Sequence, residues 1–250
     1  MIRDLVASFK AYWEAWKIIV DQKLWLYLFI PGLISLFYGL LVGFSAWYWS
    51  DNLKDFVFNV LPSGSNSKIL SRITSGFLGI GIATTGVVVY KYVILSALSP
   101  ILMGLSKRVE EAVMGYSISY KKETNMSTLD DLGRSILFGL RNFVKEFGIT
   151  LIILILSLIP FLGFIAAPII FLVQAMYVGF SNLDFTLNRY FSINGSVDFI
   201  RKNLGFSLGN GVAFMLIIMI PVVGLFFAPT LGAAAATLKA VPRIYRPSFT

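Results

Sequence analysis

The sequence predicts an all-α integral membrane protein with two long transmembrane helices, two helical hairpins that re-enter the bilayer, and an N-terminal amphipathic helix. Three observations carry this expectation. Of the 250 residues, 57% are hydrophobic and only 14% are charged, whereas a soluble domain carries about 25% charged residues. Apolar runs long enough to cross a bilayer alternate with short polar segments. One ten-residue pattern of proline, glycine and alanine occurs twice. The whole chain, 1–250, reads as a single membrane domain.

Composition also excludes whole classes of chemistry. Histidine and cysteine are both absent, which removes Cys/His zinc sites, iron–sulfur clusters, Cys- or His-based triads and disulfides. No phosphate-binding loop, dinucleotide fingerprint or metalloprotease motif occurs. No catalytic residue, metal ligand or cofactor is therefore assigned, and the chain does not read as an enzyme. The net charge of +8 comes from basic residues set between apolar runs. Retention of those residues on the cytoplasmic side of a bilayer explains the excess better than a nucleic-acid partner does.

Residues 1–24 open with Ile2, Leu5, Val6, Phe9, Trp13 and Trp16 at helical spacing, set against Arg3, Asp4, Lys10, Glu14 and Lys17. That pattern predicts an amphipathic helix, lying either in the membrane interface or against the rest of the protein. Residues 24–50 follow, a charge-free stretch of twenty-seven residues. As a helix it would be about 40 Å long, enough to span a hydrocarbon core of roughly 30 Å. Trp25 and Tyr27 at one end, and Trp47, Tyr48 and Trp49 at the other, sit where an aromatic belt belongs.

The segment from Asp51 to Arg72 is polar, with Pro62, Ser63, Gly64, Ser65 and Asn66 marking a loop. The second long helix is expected over 73–106, interrupted only by Lys91. A lysine there either snorkels to a headgroup or meets a polar partner inside the protein. The main polar region extends from Lys107 to Glu146, where Lys107, Arg108, Glu110 and Glu111 read as a solvated helix face. Further along, Leu129, Leu132, Ile136, Leu140, Phe143 and Phe147 form an apolar stripe, with Asp130 and Arg134 spaced to pair. This region holds seven basic residues and residues 1–24 hold four, against three in the 50–72 loop. The bias places both chain ends on the cytoplasmic side.

The repeat is I-P-x-x-G-x-x-x-A-P, found as IPFLGFIAAP at 159–168 and IPVVGLFFAP at 220–229, an offset of sixty-one residues. From Phe147 to Ile159 is only thirteen residues, about 20 Å of helix and short of a full crossing. Pro160, Gly163 and Pro168, with Pro221, Gly224 and Pro229 in the second copy, mark two turns. The hairpins are expected over 147–183 and 207–238. Short arms without charge near the prolines favour hairpins that enter and leave on one face, and two short complete spans are the alternative. Gly232 and Ala233–Ala236 permit close helix packing, while Pro242 and Pro247 argue against a further long helix.

An anion crossing such a protein needs fixed positive groups. Lys17, Lys23, Lys91 and Arg189 are the candidates at the membrane boundary, each with an ordinary reading as a headgroup anchor. Asp184 and Arg189, five apart, read as a structural pair holding the hairpins in register. Gln174 reads as a helix-to-helix hydrogen-bonding residue.

Several segments together resemble the CysZ sulfate-permease family, whose domain is shared with the etoposide-induced membrane proteins. They are AWKIIVDQKLWLYLFIPGLI at 15–34, LSPILMGLSKRVEEAVMG at 98–115, AMYVGFSNLDFTLNR at 175–189 and the two proline–glycine turns. The resemblance implies two long helices plus two hemi-penetrating helical pairs, assembled as a homo-oligomer, a dimer or larger. It also implies sulfate uptake across the bacterial inner membrane without ATP hydrolysis. The family's sulfate-contacting arginine pair aligns with Trp25 and Leu26 here, which cannot hold an anion. Lys23 and Lys17 are the candidates to compensate, although an ammonium does not reproduce a guanidinium fork. A different small anion is the alternative substrate. The expected partners are thus the lipid bilayer and a small inorganic anion, sulfate or similar. The competing expectation is a non-conducting oligomeric scaffold or envelope-organisation protein.

Overall fold

A computed structural model describes residues 2–38, 40–41, 44, 98–115, 128–157, 162–220 and 223–245. The expected span at 73–97 with Lys91, the second half of the span at 24–50, and Pro160 and Pro221 lie outside the described residues. Among the described residues the regular elements are helices. In chain order they are α1 (Ile2–Asp21), α2 (Leu26–Tyr38), α3 (Ser99–Met114), α4 (Thr128–Leu156), α5 (Leu162–Leu187), α6 (Ile193–Lys202), α7 (Leu204–Ile218) and α8 (Val223–Tyr245).

Two helices form the centre. Every residue from Ser181 to Leu187 in α5, and from Ala228 to Leu238 in α8, is buried. The others pack around this pair: α7 and α4 on α5, α1 on α7 and α8, and α3 on α8 and α5. Small residues allow the approach. A Cβ built on Gly179 would lie 1.9 Å from the Ser207 carbonyl oxygen, and one on Gly211 would lie 1.6 Å from that of Ala175. The α5–α7 crossing therefore needs a hydrogen atom at both positions, the small-residue packing used where helices meet in lipid. Phe164–Leu187 within α5 is long and apolar enough to cross a membrane.

Local caps explain the helix ends. The Lys23 amide donates to Val20 at 3.1 Å and the Leu24 amide to Ile19 at 2.9 Å, the paired bonds of a Schellman cap. Lys23 occupies the left-handed position with φ 53°, where glycine is usual because a Cβ costs roughly 1–2 kcal/mol. The chain then bends by 114° from Val6–Asp21 into Leu26–Tyr38. Gly115, at φ 75°, closes α3 by donating to Glu111, and the Ser192 hydroxyl caps α6 by accepting from the Gly195 amide.

Several expectations are corrected here. The proposed turns at 160–168 and 220–229 are shorter than the repeat. Both following helices are described from within it, at Leu162 and Val223, and Pro168 and Pro229 lie inside α5 and α8. Gly163 and Gly224 occupy the first turns of those helices. A proline disturbs the helix upstream of itself, and each of these two falls within the first turns of the described helix. Pro242 is likewise tolerated, and α8 continues to Tyr245.

The apolar stripe of α1 is not its packing face. Ser8, Ala11, Tyr12, Ala15 and Ile19 are buried, while Val6, Phe9 and Trp13 are exposed and Trp16 is half-buried. On α4, similarly, Ile136, Leu140 and Phe147 are exposed, and the buried positions are Phe138, Asn142, Glu146 and Thr150. Most of the buried positions on these two helices are small or polar, beside Tyr12, Ile19 and Phe138, while most large apolar side chains face outward, the reverse of a water-soluble pattern.

Gly179→Ala and Gly211→Ala are each expected to lower stability by about 1–3 kcal/mol through overpacking. Gly148→Ala, where nothing lies within 4 Å of the added Cβ, should be neutral or stabilise by up to about 1 kcal/mol. Thermal unfolding of the detergent-solubilised protein measures the contrast.

Candidate functional site

Polar groups converge where α3, α5 and α8 meet. Glu110 on α3 is fully enclosed, at 0% exposure, and its Oε2 lies 2.6 Å from Arg189 Nη2. Arg189 also donates to the Phe185 carbonyl at 2.8 Å and to the Ser106 hydroxyl at 3.0 Å. The Tyr190 hydroxyl donates to the other Glu110 oxygen and lies 2.9 Å from the Tyr245 hydroxyl. Beneath the ion pair, the hydroxyls of Ser106, Thr186 and Thr237 form a triangle with each pair 2.9 Å apart. One residue comes from each of the three helices, so the triangle ties them together.

The predicted pairing of Asp184 with Arg189 is corrected by this geometry. Asp184 takes Arg134 of α4, at 3.7 Å, and Arg189 takes Glu110. Asp184 is inside α5, whereas Arg189 follows its last residue, so the two side chains leave the helix toward different neighbours. Arg134 also donates to the Asn188 carbonyl at 2.5 Å and to the Ser196 hydroxyl at 3.2 Å. One guanidinium thereby binds α4 to α5 and α6.

The Arg134–Asp184 contact lies at one end of a polar seam. Arg134, Asn142, Glu146 and Thr150 recur along one face of α4, and Gln174, Tyr177, Ser181 and Asp184 along one face of α5. A third set closes the crossing of α5, α7 and α8. Asn182 donates to the Asn210 side chain at 2.8 Å, and Asn210 donates to the Gly232 carbonyl at 3.1 Å. The Tyr12 hydroxyl reaches the Asn210 carbonyl at 2.8 Å, adding α1.

The cations singled out from the sequence do not form one cluster. Lys17 is exposed with its Nζ 5.8 Å from the Trp13 ring centroid. Lys23 is exposed at the α1–α2 corner. Arg189 is held on Glu110, and Lys91 is outside the described residues. Beside the Lys23 corner, Gln22, Leu24, Tyr27, Arg108, Glu111, Ala112 and Gly115 line an open recess of about 660 Å³. Arg108 and Glu111 pair across its wall at 3.5 Å, and Trp25 and Leu26 next to it are exposed.

The family model described as sulfate transporter CysZ/etoposide-induced protein 2.4 matches residues 11–229. The chain belongs to this family. No curated protein matches it. Membership in the CysZ/etoposide-induced family places the chain among non-catalytic, anion-transport-linked proteins with a membrane-compatible helical fold. The match covers the α1–α2 corner, the Glu110–Arg189 pair and both copies of the proline–glycine repeat.

Sequence reasoning missed Glu110, which it placed on a solvated face. The signal was present. Leu98, Leu102, Leu105 and Val109 mark the buried side of α3, and Ser106 and Glu110, four apart, fall on its edge. Lys107 and Arg108, on the far side, are exposed as expected.

Glu110→Gln leaves the Arg189 charge without its counter-ion and is expected to cost about 3–5 kcal/mol, with much of the loss recovered in Glu110→Gln/Arg189→Gln. Arg108→Ala, which breaks an exposed pair, should change stability by about 1 kcal/mol or less. A double-mutant cycle read by thermal unfolding checks both.

Proposed function

We propose that this protein is a permease for sulfate or a related small inorganic anion, moving it across the bacterial inner membrane without ATP hydrolysis. The observation that carries the reading is the inverted burial of α4 within a chain of this family. Arg134, Asn142, Glu146 and Thr150 face the protein, while Ile136, Leu140, Val144, Leu151 and Ile155 face outward. Water outside would make that arrangement unfavourable, and lipid outside makes it the expected one.

In this reading the long helices at 24–50 and 73–106 cross the bilayer, and the pairs α4–α5 and α7–α8 are hemi-penetrating hairpins. Both termini are cytoplasmic, and the protein works as a homo-oligomer. α1 lies along the interface. The breaks at Pro160 and Pro221 turn the chain inside the membrane, where backbone groups require protein partners or a polar cavity. Lys23 and Lys17 make the first contact with the anion, beside the recess at the α1–α2 corner, and Lys91 acts deeper in the path. Arg189 shapes the inner wall, with its charge balanced by Glu110.

That same balance favours a second reading, a non-conducting oligomeric scaffold, because a neutralised arginine offers an anion little attraction. Flux separates the two. Liposomes holding the purified protein should accumulate labelled sulfate faster than empty ones. Lys23→Gly should lower uptake severalfold while raising thermal stability by about 1 kcal/mol, since glycine relieves the left-handed strain. Stable oligomers with neither sulfate binding nor uptake would leave the scaffold.

A further inference from the structure

We infer that the outward face of α1 is a docking surface for anionic phospholipid headgroups. This inference rests on the bilayer reading above and adds the lipid class and the residues that select it. Val6, Phe9 and Trp13 are 52%, 45% and 63% exposed on a helix whose opposite side is sealed against α7 and α8. Those three side chains form a contiguous apolar flank. Lys10 and Lys17, both exposed, stand beside it about two turns apart.

Two of the helix's acidic residues are engaged by α8. Asp4 lies 3.5 Å from Arg243, and Glu14 lies 3.0 Å from Lys239. Asp21 is exposed at the end of α1, with Lys23 just beyond it. The free edge of the helix thus presents Lys10, Lys17 and Lys23 against Asp21, a positive balance beside an apolar stripe. An interfacial helix with that layout buries its apolar flank at the acyl boundary and sets its ammonium groups among phosphates. Lys17 is further steered by its position over the Trp13 ring, an aromatic that itself prefers the headgroup level.

The 114° bend into α2 supports this placement. With α2 entering the bilayer, a helix turned that sharply lies across the surface and not along the normal. The ion pairs to Arg243 and Lys239 then transmit the headgroup contact to α8, one of the two central helices.

The test uses the full-length protein in vesicles of phosphatidylcholine alone and of phosphatidylcholine with phosphatidylglycerol. Because the chain has no cysteine, Phe9→Cys carries a single nitroxide whose oxygen and aqueous-reagent accessibility reports its depth. The label should lie below the headgroups in both vesicles. Lipid preference is read by adding each lipid to the detergent-solubilised protein and following thermal stability. Phosphatidylglycerol should stabilise at lower concentration than phosphatidylcholine, and Lys10→Gln/Lys17→Gln should reduce that preference about fivefold per lysine. Phe9→Ser should weaken both lipids alike and leave their ratio intact. Equal response to the two lipids, or a preference unchanged in the lysine variant, overturns the inference while the bilayer reading stands. A protein that enters neither vesicle overturns both.

Discussion

An enclosed carboxylate has to be answered by a fixed cation, and in this protein that requirement organises the centre of the fold. Glu110 has no access to solvent, so its charge depends on Arg189 and the Tyr190 hydroxyl. Arg189 can reach it only if α5 ends at Leu187 and the chain turns back over α3. The hydroxyl triangle beneath needs α3, α5 and α8 within hydrogen-bonding distance at one level. These contacts supply direction more than net stability, because desolvating two charges offsets much of their attraction. They make one arrangement of three largely apolar helices preferable to its neighbours, which apolar packing alone discriminates weakly.

Close backbone contact is the second requirement. The glycines of the α5–α7 crossing and the alanines of α8 let the helices approach until Asn182, Asn210 and Gly232 can share hydrogen bonds. Outside this inner shell the surface is apolar, and the polar seam of α4 is turned inward. A chain that is oily on its outer helices and polar between them suits a solvent unable to hydrogen-bond. Exposed charges, such as the lysines of α1, become the points where it can register a polar surface.

Much of this was legible in the sequence, and what escaped has specific causes. Taken as two turns, the repeat reaches too far, since Pro168 and Pro229 lie inside α5 and α8. A proline near a helix start is compatible with the helix that follows. The apolar stripes of α1 and α4 were read as helix faces at the right period, but period alone does not tell which side is inside. That choice depends on the surrounding solvent, and in α4 it put Glu146 inside and Leu140 outside. Asp184 and Arg189 were recognised as a structural feature, yet adjacency in sequence suggested the wrong partner for each.

The amino-acid sequence by itself determined the helical class and the scarcity of ionisable groups, because these follow from local period and composition, and its matching segments carry the family. Only the tertiary structure decided which faces are buried and which charges meet. Arg134 with Asp184, and Arg189 with Glu110, join residues about fifty and eighty positions apart. No local rule specifies such pairings. They arise when helices with little surface preference of their own settle so that the buried charges meet.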